Sequence, residues 1–166
     1  MKYLVNDDSE PTLLYGYYAE EGDEDAWLIG NDLFDKIEID NVEVSILDLD
    51  TAEGKYQLSS GKHIVKYTLK DPSIIDYAAF NDCVNLTSII IPSSINTIYN
   101  GAFQGCTSLT SITSLATTAP TIEYATFWKV KTGGTLIVPT GSTGYDVWMG
   151  TGNYYLGKYS WTKVEQ

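Results

Sequence analysis

The chain has 166 residues, 43% of them apolar, with 22 Asp/Glu against 10 Lys and no Arg, for a net charge of −12. That length gives one medium domain or two small ones, and the apolar content argues for a packed core over wholesale disorder. Without a concentrated basic footprint nucleic-acid binding is close to excluded, anionic membrane surfaces are disfavoured, and no apolar run approaches the ~18–20 residues that span a bilayer.

The charge is unevenly placed. Residues 1–71 carry 17 acids against 6 Lys, whereas residues 72–166 carry 5 against 4. Such asymmetry points to two units with different surfaces, divided just before Pro72: an acidic domain over 1–71 and a second over 72–166. The opening Met1-Lys2-Tyr3-Leu4-Val5-Asn6-Asp7-Asp8 has a short apolar stretch and then acids. A secretory signal needs an apolar core of about 7–15 residues, so none is read in this chain.

The acidic half reads as β structure. Leu13-Leu14-Tyr15-Gly16-Tyr17-Tyr18 and Ala26-Trp27-Leu28-Ile29 are expected strands flanking the acidic run Glu20 to Asp25. Lys36-Ile37-Glu38-Ile39 and Val42-Glu43-Val44-Ser45-Ile46 alternate and are joined by Asp40-Asn41, a hairpin turn. A second hairpin is expected from Lys55-Tyr56-Gln57-Leu58, through Ser59-Ser60-Gly61, to the strand His63–Lys70. In that strand His63, Val65, Tyr67 and Leu69 share the inward face.

From residue 72 the chain repeats. Ala79-Phe80, Cys83, Leu86 and Ile89 recur 23 residues later as Ala102-Phe103, Cys106, Leu109 and Ile112. A fixed period in the range of about 20–50 residues marks a solenoid, whose units bury their apolar faces only against neighbours. Within a copy, Leu86-Thr87-Ser88-Ile89-Ile90-Ile91-Pro92 reads as a strand stopped by proline, with Ile89 and Ile91 inward and Ser88 and Ile90 outward. A worn third copy carries Ile122, Phe127 and Leu136-Ile137-Val138-Pro139. About three rungs are therefore expected, and so few need caps at both ends. The two cysteines fall at one position of consecutive repeats and read as stacked buried thiols, with a disulfide as the alternative.

The last segment holds Tyr145, Trp148, Tyr154-Tyr155, Tyr159 and Trp161. Ser142 is placed to cap a short helix over about residues 143–149, which would lay Tyr145 and Trp148 over the final rung. The same rings have a second reading as a sugar-stacking platform.

Catalytic constellations are not found. His63 is the single histidine and has no Ser or Cys motif near it, and one His with two Cys in separate repeats fits no usual zinc spacing. Glu20 to Asp25 and Asp48-Leu49-Asp50 are read as solvated acidic loops, with calcium as the alternative, although neither follows the twelve-residue calcium-loop pattern. No cofactor is expected. The residues singled out as an interaction surface are Ser88, Ile90, Ser111, Thr113 and Ile137 on the rung faces, with Tyr145, Trp148 and Trp161 at the aromatic end.

The ordered Ala-Phe, Cys, Leu, Ile and Ile-Pro elements resemble the bacterial leucine-rich repeats of the BspA type, over about residues 72–166. The ending through Leu136-Ile137-Val138-Pro139, Gly141-Ser142, Tyr145 and Trp161-Thr162-Lys163-Val164 is similar to the close of many such arrays. In the acidic half, Ile39-Asp40-Asn41-Val42 followed by Leu58, Gly61, His63 and Val65 resembles small β-sandwich modules of the PEGA type. These resemblances imply a mainly β protein: an acidic β-sandwich-like domain, a short leucine-rich-repeat solenoid and an aromatic cap with a short helix. They also imply a non-catalytic protein of adhesion or protein recognition at a bacterial cell surface, secreted or surface-held. A carbohydrate-binding module of a glycan-uptake system or a phage-like tail is the alternative. The partner expected is a protein, with a glycan second.

Overall fold

The computed structural model describes residues 12–19, 27–29, 34–44, 55–57 and 61–166. The expected acidic loops, Glu20 to Asp25 and Asp48 to Asp50, lie outside the described residues.

The repeats form stacked coils. Each coil contributes one strand to a parallel sheet: β8 (Leu86–Ile91), β10 (Ser111–Ser114), β12 (Thr135–Val138) and β13 (Thr162–Glu165). Their registers set Ile89 beside Ile112, Ile112 beside Leu136 and Leu136 beside Lys163. The coils number four, one more than the three expected, because the segment after Trp161 makes a rung of its own. A second small sheet stacks β7 (Ile74–Ile75), β9 (Thr97–Ile98) and β11 (Thr121–Ile122) in the same periodic order.

Between the sheets the chain turns twice in the left-handed region at equivalent places. Ala78, Gly101 and Ala125 occupy the first, and Asp82, Gly105 and Lys129 the second, all at positive φ. The turns are tied across coils by backbone bonds: the Phe80 amide donates to Ala102 O at 2.8 Å, and the Phe103 amide to Thr126 O at 3.0 Å. Inside, Phe80, Phe103 and Phe127 stack with centroids 5.5 and 5.9 Å apart and interplanar angles of 11° and 7°. Each such pair adds about 0.5–1.5 kcal/mol beyond the area it buries.

The acidic half supplies β1 (Thr12–Ala19), β2 (Trp27–Ile29), β3 (Phe34–Ile39), β4 (Val42–Val44), β5 (Lys55–Gln57) and β6 (Gly61–Leu69). The β3–β4 hairpin turns at Asp40-Asn41, at φ 51° and 68°, as the dipeptide predicts. The second expected hairpin is not formed. β5 pairs with β2, and β6 lies between β1 and β3, antiparallel to both. A nine-residue strand with a buried, largely apolar face has the length for two full partners, which a three-residue neighbour does not supply. On that face His63, Val65, Tyr67 and Leu69 are buried, while Ile64 is exposed.

Strands from both sides of residue 72 share one sheet. β1 pairs antiparallel with β8, giving an eight-stranded order β13-β12-β10-β8-β1-β6-β3-β4. Tyr67 of β6 meets Phe80 edge-on at 5.7 Å and so covers the first ring of the stack.

The far end is closed by Trp148, 5.3 Å from Phe127, with Tyr145 edge-on to it at 5.2 Å. The polar tips are satisfied inside: Tyr145 donates to Ser114 Oγ at 2.6 Å, and Trp148 Nε1 to Pro120 O at 3.0 Å. The helix expected over 143–149 is instead a run of turns. Gly144 sits at φ 85°, outside helical space, and among the described residues the one helical segment is a 3-10 helix at Leu156–Tyr159.

Candidate interaction surfaces

Strand alternation places two rows on the outer face of the parallel sheet. One runs Ser88, Ser111, Thr135, Thr162; the other runs Ile90, Thr113, Ile137, Val164, each in register with the next. The first three members of each row are half-buried, and Thr162 and Val164 are exposed. Parallel in-register stacking is what makes rows of like residues, because each coil, after 23, 24 and then 27 residues, returns the same position about 4.8 Å along the sheet. The result is a flat hydroxyl row beside a β-branched row, and neither carries a charge.

The aromatic residues singled out from sequence lie elsewhere. Tyr145 and Trp148 are 1% exposed and Trp161 5%. Trp161 lies on Gly134, where any Cβ would strike its ring, and donates Nε1 to Lys131 O at 2.7 Å. These three rings form the cap and offer no face to a ligand.

Other rings stand outside. Tyr124 is 62% exposed, Trp128 36% and Tyr77 69%. Tyr154 from the cap packs on Tyr124 with centroids 4.2 Å apart and their hydroxyls 2.6 Å from each other. Lys129 Nζ lies 4.5 Å over the Trp128 ring. The signal for this group was present in the sequence, since Tyr77, Asn100 and Tyr124 stand at one repeat position. It was hidden because that position is neither apolar nor constant.

The remaining reactive groups are locked away. Cys83 and Cys106 are free and buried, and burial pushes the Cys83 thiol up to about 12 and Cys106 well above its ordinary range. Thiols so held are packing groups, not nucleophiles. Cys106 Sγ donates to Phe80 O at 3.2 Å. His63 Nδ1 lies 2.8 Å from Asp40 Oδ2, at the hairpin turn. Among the described residues no three His, Cys, Asp or Glu side chains gather to hold a metal ion, and no helix is long and apolar enough to cross a membrane.

No curated protein and no solved structure matches the chain. The comparisons lend no support to the PEGA-type likeness of the acidic half. Residues 73–143, which hold the strands β7 to β12 of the stacked coils, match the family model for the BspA type leucine rich repeat region (6 copies), and this segment is a short leucine-rich-repeat solenoid.

Proposed function

We propose that the chain is a non-catalytic binding protein that recognises a partner protein through the outer face of its parallel sheet, in adhesion at a bacterial cell surface. The observation that carries this reading is the in-register pair of uncharged rows, Ser88/Ser111/Thr135 and Ile90/Thr113/Ile137. A flat, preformed, partly apolar face costs little ordering on association, and β-branched side chains there lose water without leaving a charge unpaired. The leucine-rich-repeat family supports it further, being generally a protein-binding scaffold and commonly surface-associated.

The test is binding of the protein to a panel of immobilised host matrix proteins, with Ile90→Asp and Ile137→Asp as variants. A carboxylate at the centre of the buried patch should weaken binding at least about tenfold, as loss of a central anchor does. Binding unchanged in both variants rejects the sheet face as the contact surface.

A further inference from the structure

We propose a second binding site, on the turn ridge of the solenoid, for a neutral, extended oligosaccharide. The ridge is the line Tyr77, Asn100, Tyr124, which occupy one position in three successive coils. The registers Ile75–Ile98–Ile122 fix this, and the bonds from the Ala78 amide to Asn100 O (3.0 Å) and from the Gly101 amide to Tyr124 O (3.1 Å) continue it.

The two tyrosines are largely exposed, at 69% and 62%. Standing two rungs apart, they are separated by about 9.5 Å. That spacing is comparable with the advance of two sugar units in an extended β-linked glycan, so alternate pyranose rings would meet alternate tyrosines. Asn100 lies between them with both donor and acceptor groups for the intervening unit.

Each tyrosine follows a carboxylate, as Asp76-Tyr77 and Glu123-Tyr124. Asp76 Oδ1 accepts the Tyr77 amide at 2.7 Å, and Glu123 Oε2 accepts the Asn100 amide at 3.3 Å, so both are held on the ridge. An aromatic face takes the C–H face of a pyranose, and a carboxylate accepts several hydroxyl donors at once. The same carboxylates, in a chain of net charge −12, repel polyanions and select an uncharged ligand.

The far end is preorganised. Tyr154 packs against Tyr124, and Tyr159 fastens the cap segment by accepting the Lys129 amide and donating to Asn153 O, both at 2.8 Å. Trp128 stands beside Tyr154, 6.5 Å centroid to centroid, close enough to report occupancy.

The experiment is a titration of the full chain with β-1,4-linked glucose, xylose and N-acetylglucosamine oligomers from dimer to hexamer, read by tryptophan fluorescence and calorimetry. At least one series should bind saturably and tighten once the oligomer is long enough to reach both tyrosines. Tyr77→Ala and Tyr124→Ala should each weaken that binding about tenfold. Both rings are largely exposed, Tyr124 losing only its surface contact with Tyr154, so the thermal midpoints of these variants should stay near that of the parent. Ile137→Asp, on the other face, should leave sugar binding unchanged, which separates this site from the protein-binding surface. Absence of saturable binding in all three series, equal binding by the tyrosine variants, or equally tight binding of an anionic polyuronate would each overturn the proposal.

Discussion

Gly105 shows how closely the coils are fitted. It sits at φ 73°, and a Cβ there would fall on the Asp82 carboxylate of the preceding coil and 3.3 Å from Asp82 Cα. Gly101 has nearly the same backbone, φ 68°, but open space, its nearest contact being Gln104 Oε1 at 3.7 Å. The neighbouring coils already carry Ala78 and Ala125 at the Gly101 position. Gly101→Ala should therefore cost only the left-handed penalty, about 1 kcal/mol, whereas Gly105→Ala should cost about 2–3 kcal/mol because Asp82 must also move. Denaturant melts of the two variants measure the difference, and equal losses would mean the coil contact is slack. The apolar spine was legible at this scale because Phe80 and Phe103 repeat without a change of spacing. Trp148 was read as a covering residue or a sugar-stacking ring and not as a member of the spine, since it stands 21 residues after Phe127 and is a different ring. The step and the side chain changed together, which hid a fourth coil.

At the scale of elements, the β3–β6 ladder is joined at the hairpin turn by a side-chain tie from one carboxylate. Asp40 Oδ1 accepts the Ile64 amide at 2.9 Å, and its Oδ2 faces His63 Nδ1 at 2.8 Å. These contacts, the Ile64 amide first and the His63 ring second, hold the Asp40 carboxyl below its ordinary value of 3.8. A carboxyl whose folded pKa is depressed stabilises the fold above its unfolded pKa and loses that contribution as pH falls through the folded value. Asp40→Asn retains the positive φ and an acceptor for Ile64, so it isolates the charge. The parent should thus melt above the variant at pH 5, with the gap closing as the pH is taken from about 4 downward. Because Asp40 is half-exposed the gap should be small, and a gap that persists unchanged at pH 2.5 would assign it to packing. The hairpin itself was legible from Asp40-Asn41 between two alternating runs. The partners of β6 were not, because antiparallel pairing with β1, some fifty residues earlier, leaves no periodic trace. The β1–β8 junction was illegible for the same reason, whereas parallel stacking of β8 on β10 was written directly as the repeat.

For the whole molecule, the change of charge near residue 72 marks a change of surface while the sheet runs through it. β1 lies between β6 and β8, and the column of rings runs Tyr67, Phe80, Phe103, Phe127, Trp148, with steps of 5.3 to 5.9 Å. In a solenoid each coil is supported only by its neighbours, so a short array draws its stability from what covers its ends. Tyr67 is such a cover, at 1% exposure, and it belongs to the acidic half. Tyr67→Ala should remove on the order of 3 kcal/mol by opening a cavity against Phe80. If the sheet and the ring column couple the two halves, that loss appears everywhere the protein opens globally. Hydrogen exchange should then accelerate together in β6 and at the amides of Phe103 and Thr135, which bond across coils to Thr126 O and Thr110 O. Acceleration confined to β6, with Phe103 and Thr135 still protected, would mean that the coils fold and open without the acidic half. In that case the covering of Phe80 by Tyr67 contributes to one half only, and the eight-stranded sheet is a junction between two cooperative units.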